Sequence, residues 1–145
     1  MTAQHDQLVT HHYLAHFPEH APRATDPHYV DFEAFRRAHV ATAVCAFAES
    51  TGVSSECDAL HPLELHHSHI EFSLQNGVDL AVLERDYPGI SDPTQVGAWV
   101  ESGANLEFLC RFHHRGAGGK HTAAHADYEA ERYVRGLIAA AKEAK

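Results

Sequence analysis

Two stretches decide how this chain reads: Leu63-Glu64-Leu65-His66-His67-Ser68-His69-Ile70 and Asn105-Leu106-Glu107-Phe108-Leu109-Cys110-Arg111-Phe112-His113-His114. The first alternates enough to predict an extended segment over Leu63–Phe72, and it carries three imidazoles. The second opens on the short apolar run Leu106–Leu109, a second strand, and runs on into a cysteine and two more histidines. Imidazole and thiolate are ligands for borderline metals, so metal chemistry is expected where the two segments meet.

Working outward, Phe32, Phe35, His39, Ala43 and Phe47 recur at helical spacing. They predict one amphipathic helix from Asp31 to Ser50, about five turns long, with Asp31 as N-cap and Gly52 as stop. Residues 1–30 read as an irregular arm punctuated by Pro18, Pro22 and Pro27, and residues 31–145 as a single domain. The arm histidines His5, His11, His12, His16, His20 and His28 are taken as solvated. Between the two decisive stretches, Leu80–Glu84 and Val96–Glu101 predict short helices separated by the breaker-rich Tyr87–Pro93, with Trp99 in the core. Gly116–Gly119 predicts a flexible loop. Thr122 is expected to cap a last helix, Ala123–Ala144, turning Tyr128, Tyr133, Val134, Leu137 and Ile138 toward the core.

Composition bounds the answer. The chain has 145 residues, 44% of them apolar, and no apolar run near the ~20 residues of a membrane span. Its first residues lack a basic region followed by an apolar stretch, so a cytoplasmic setting is expected and no membrane. Cys45, Cys57 and Cys110 are too few and too scattered for a disulfide framework. Fifteen histidines are the outlier. Net charge is −9, yet residues 111–145 hold seven Lys/Arg against four acids, so the C-terminal part is the side expected to meet an anion.

At the two decisive stretches the chain resembles the HNH endonuclease family. The resemblance covers roughly Cys57–His121 and rests on the His66-His67 pair after an apolar strand, the Asn-Leu-x-x-Leu-Cys segment at Asn105, and a histidine nine positions after that asparagine. It implies an α+β fold, a ββα-metal motif over about residues 57–121 with flanking N- and C-terminal helices, and a metal-dependent endonuclease that hydrolyses DNA. It implies His67 as general base, Asn105 as the residue pinning the loop that orients it, and His66 and His114 as principal metal ligands. Small stand-alone members are often phage-encoded, which would put the protein in a host cytoplasm. Such chemistry needs a base for water, a cation for phosphoryl charge and a fixed tautomer. Zinc, manganese or nickel suits these histidines better than magnesium.

The chain also departs from the family pattern. Consecutive strand residues face opposite ways, so ligand and base side by side require the strand end to bend, and His69, which shares a face with His67, is open to either role. The stretch from His67 to Asn105 exceeds the compact motif, so Gln75–Gly103 must fold as a lobe of its own. Where colicin-like members place a ligand four residues after the last, this chain has Gly118; His121 is the expected replacement, with His125 the weaker one. Cys57-x-x-x-His61 and Cys110-x-x-His113 offer donors for a second, structural zinc.

Two readings from other classes stay open. One is a catalytically inactive, zinc-stabilised structural or DNA-docking module, favoured by the acidity, in which a larger protein partner brings the chain to DNA. The other is a pH-responsive assembly protein switched by its histidines.

Overall fold

A computed structural model describes residues 6–9, 13–134 and 136–139. His5, His11 and His12 of the arm, and the end of the expected last helix, lie outside the described residues. Among the described residues the fold mixes short helices with a two-stranded antiparallel sheet. The sheet pairs β1 (Glu64–His67) with β2 (Leu106–Leu109), Glu64 opposite Leu109, Leu65 opposite Phe108, His66 opposite Glu107 and His67 opposite Leu106. Cross-strand partners share a face. One face therefore carries Leu65, His67, Leu106 and Phe108, the other Glu64, His66, Glu107 and Leu109.

The first face packs its Leu65, Leu106 and Phe108 against Phe32 and Phe35. These come from helix α1 (Tyr29–His39). The expected helix from Asp31 to Ser50 is broken. His28 precedes its first turn, Asp31 lies inside it bonded to the His28 ring, and a 3₁₀ turn at Val40–Thr42 ends it. The chain then runs extended through Ala43 and Cys45 before α2 (Ala46–Thr51). Val40, Thr42 and Val44 are β-branched, poor helix formers whose stiff side chains favour such a break. Gly52 does stop α2, in the left-handed conformation at φ 72°.

Cys45 and Phe47, thus turned inward, form a second core with Leu109, Cys110 and Tyr128. A third core lies in the insertion, where α3 (Leu80–Asp86) and α4 (Pro93–Val100) bury Leu83, Val96, Trp99 and Val100. Asp79 caps α3, and Asp92 with Gln95 forms a capping box ahead of Pro93 on α4.

Beyond β2 comes one helical turn, α5 (Arg111–His114), with Cys110 as its N-cap. The glycine loop after it is tightly packed, not slack. A Cβ on Gly119 would stand 2.5 Å from the His114 carbonyl, and one on Gly118 2.5 Å from the Phe112 ring. The last helix, α6, is only His125–Ala130, preceded by Ala124 rather than capped by Thr122. After it the chain makes turns: Glu131 accepts a hydrogen bond from the Ile138 N–H, and Gly136 takes φ 73°. Side-chain capture of backbone groups competes with helix there. Tyr128 is buried as expected, but Tyr133, Val134 and Leu137 are exposed. No helix among the described residues is long and apolar enough to cross a membrane.

Candidate metal centres

β1 ends at His67, and Asn105 holds the turn beyond it. The buried side-chain oxygen of Asn105 accepts from the His69 and Ile70 N–H groups, both at 3.0 Å, while its amide nitrogen donates to the carbonyls of Ile70 (2.7 Å) and Val100 (2.9 Å). Its backbone carbonyl accepts from Ser68 N–H at 2.7 Å. All the hydrogen-bonding capacity of the carboxamide is used, so the turn after the two histidines is fixed against α4.

On one sheet face, His66 meets His114 from α5 and His121 from the end of the glycine loop. Their ligating atoms all lie within 4.8 Å of one another. His66 Nδ1 is 3.1 Å from His121 Nε2, and the three ring centroids are 4.8–4.9 Å apart. The loop brings His121 back by hydrogen bonds from Lys120 N–H to the His113 carbonyl and from His121 N–H to that of His114. Glu64 accepts from His114 Nδ1 at 3.0 Å and pairs with Arg115, which leaves His114 Nε2 as the atom for the cluster. A carboxylate behind an imidazole is the usual support of a metal-binding histidine. Burial works to raise the Glu64 carboxyl, but the bonds from His114 and Arg115 outweigh it and hold it below its ordinary range. Burial, and then the neighbouring His114 and His121, push His66 down to about 3; burial likewise lowers His121. Both rings are therefore neutral at pH ~7, the form that binds a metal.

His67 points to the other face, yet borders the same cleft of about 150 Å³ as the three imidazoles. It stacks on Phe32 with centroids 5.2 Å apart, and its Nε2 lies 3.0 Å from Glu101 Oε2. The expected bend does not fall between them: both are regularly paired with β2, they keep the strand's alternation, and the chain bends only beyond them, at Ser68 and His69. His69 does not join them. It is exposed and lies by Tyr87 and Trp99, because Asn105 fixes its backbone beyond the bend. His125 opens α6, exposed, and is also outside the cluster.

A second group lies behind α5. Cys45, Cys57, Cys110 and His113 bring their ligating atoms within 4.8 Å of one another. His113 Nδ1 is 3.2 Å from the Cys110 sulfur and 3.8 Å from those of Cys45 and Cys57. Tetrahedral zinc, with Zn–S about 2.3 Å and Zn–N about 2.0 Å, requires S···N separations of roughly 3.5 Å, so the donor set fits. His113 is 1% exposed and stacked on Phe47 at 4.0 Å. The Cys110 thiol, with help from His113, pulls Cys45 down to about 3 despite burial; the same pairing raises Cys110, and burial raises Cys57.

This corrects the expected second set. His61 is not in it: its Nδ1 is bound to Asp58 at 2.8 Å and its Nε2 to Arg111 at 2.9 Å, out at the surface. Cys45 takes the place given to His61. No family model matches the chain, and no curated protein or solved structure does.

Proposed function

We propose that this chain is a metal-dependent phosphodiester hydrolase, an endonuclease acting on DNA through a ββα-metal site like that of the HNH family it resembles. The observation that carries the reading is the meeting of His66, His114 and His121 at a cleft that His67 also borders. Three protein ligands with an open side are the pattern of a catalytic rather than a structural metal. A divalent ion held by those three would supply a Lewis acid for phosphoryl and leaving-group oxygens. In this reading His67 takes the proton from the attacking water through Nδ1, since Nε2 faces Glu101. Asn105 keeps that ring at the strand end. Cys45, Cys57, Cys110 and His113 hold a structural zinc that fixes α5 and with it His114.

Nicking of supercoiled plasmid tests the reading. We expect chelator to stop it, manganese, nickel, zinc or magnesium to restore it to differing extents, and His67→Ala to reduce it by about 10²–10⁴-fold, the ordinary contribution of a general base. Folded, metal-replete protein that nicks no DNA under any of these ions would sink it. The second reading, a zinc-stabilised structural or DNA-docking module, draws on the Cys45/Cys57/Cys110/His113 group alone; it requires His67→Ala to leave DNA binding intact while Cys110→Ser unfolds the chain.

A further inference from the structure

Among the described residues the cleft is lined by one cation, Arg23, to which the proposed mechanism gives no role, and Arg23 is paired with a carboxylate behind the cleft wall. Glu101, at the end of α4, has a carboxylate only 2% exposed. One oxygen faces His67 Nε2 at 3.0 Å and the other faces Arg23 Nη2 at 3.3 Å. Arg23 belongs to the segment whose prolines predict an irregular arm, yet its guanidinium lies 4.4 Å from the centroid of Phe32, the ring that stacks on His67. Together with Phe32, His66, His67, His114 and His121 it lines the cleft. Its Nε is buried without a hydrogen-bond partner among the described residues.

A guanidinium beside a cluster that takes a cation is electrostatically costly unless an anion stands nearby. Glu101 is the anion paired with Arg23, which it engages through Nη2 only, and Glu71 is a second carboxylate, on the cleft wall near His121. Arg23 is 35% exposed, so the fork still reaches the cleft, where the complementary occupant between an ion and a guanidinium is an anion with several oxygens. We propose that Arg23 is the phosphoryl-binding residue of this cleft, and that Glu101 is a positioning residue holding Arg23 and the His67 ring in one arrangement. The substrate class is a phosphate ester or free phosphate, and the assignment rests on the hydrolase reading above.

Two measurements on the full chain loaded with Mn²⁺ or Zn²⁺ separate the fate of the inference from that of the reading. The first is calorimetric titration with inorganic phosphate. Arg23→Ala should weaken binding about tenfold and Arg23→Lys less, while Arg85→Ala, on the exposed face of α3, should leave it unchanged. The second is steady-state hydrolysis of a short DNA duplex. Arg23→Ala should raise KM about tenfold with a smaller loss in kcat, and added guanidinium should recover part of it; Glu101→Gln should act mainly on kcat. A folded Arg23→Ala protein with wild-type phosphate affinity overturns the inference, even if DNA is cut normally and the hydrolase reading stands. Loss of phosphate binding in a protein that cuts nothing upholds the Arg23 site and removes the hydrolase reading instead. Should Arg23→Ala fail to fold, unchanged phosphate affinity in Arg23→Lys and Arg23→Gln would overturn it equally.

Discussion

Asn105 shows how one side chain can fix a site without touching it. Its four side-chain hydrogen bonds bind the turn after β1 to the end of α4. Asn105→Ala removes the partners of two N–H groups and two carbonyls, most of them part-buried, and should lower unfolding free energy by about 3 kcal/mol. Asn105→Asp should be at least as harmful, since a carboxylate oxygen would then face the Ile70 and Val100 carbonyls; urea unfolding of both checks this. Glu131 gives a prediction with a pH sign. Fully buried, it is pushed up to about 7 by burial and by its hydrogen bond with Glu56. A carboxyl whose pKa is raised in the fold contributes its stability below the ordinary carboxylate range and loses it as pH climbs through the folded value. Wild-type Tm should therefore fall between pH ~5 and ~8, and that part of the fall should vanish in Glu131→Gln.

The legible residues were those whose chemistry repeats locally. His66, His67, Asn105, His114 and His121 stood out because several unusual side chains sat close in sequence. Cys45 carried no such signal: between Val44 and Ala46, just before Phe47 and its helix, a thiol reads as another small apolar residue. His61 misled for the opposite reason, since its spacing from Cys57 mimics a metal knuckle while Asp58 and Arg111, one local and one 50 residues away, take both its nitrogens.

At the scale of elements, α5 does two jobs with adjacent residues. His113 faces the thiols and His114 faces the other imidazoles, so a single turn of helix joins both groups. Cys110→Ser should therefore weaken metal binding at His66, His114 and His121 as well as at its own group, by about tenfold or more, the scale of lost outer support. Titration with Co²⁺, whose d–d bands distinguish thiolate from imidazole sets, would separate the two effects. Gly119→Ala should destabilise by about 1–3 kcal/mol, because the added methyl would press on the His114 backbone; thermal unfolding checks it. The strand β2 and the existence of two insertion helices were readable from their apolar runs, but α4 starts at Pro93 rather than Val96, because the Asp92 capping box begins the helix within what reads as a breaker. The break at Ala43–Cys45 and the early end of α6 were not. The apolar period continues through both, and what overrides it, beside the β-branched Val40, Thr42 and Val44 at the first, is tertiary: a thiol drawn to Cys57, Cys110 and His113, and a carboxylate that captures the Ile138 N–H.

At the scale of the molecule, the described residues form three modest cores rather than one large one, and the Cys45/Cys57/Cys110/His113 group lies at the core that ties α2, β2 and α6 together. If that group holds zinc, its binding energy is folding energy. Chelation at neutral pH should then lower Tm by more than ~10 °C, and Cys45→Ser should reproduce most of that loss while zinc content per chain falls. A chelator that removes zinc without moving Tm would remove the structural role.

The spread of those four donors also bears on how the protein comes into being. Cys45 and Cys57 leave the ribosome 68 and 56 residues ahead of His113. Through that interval a growing chain displays two thiols whose remaining partners have not been made, and the break before α2 lacks the contacts Cys45 makes with Leu109, Cys110 and His113. The four donors therefore cannot close on a common ion until the chain has grown past His113, and the backbone about Cys45 and Cys57 is fixed by that group only then.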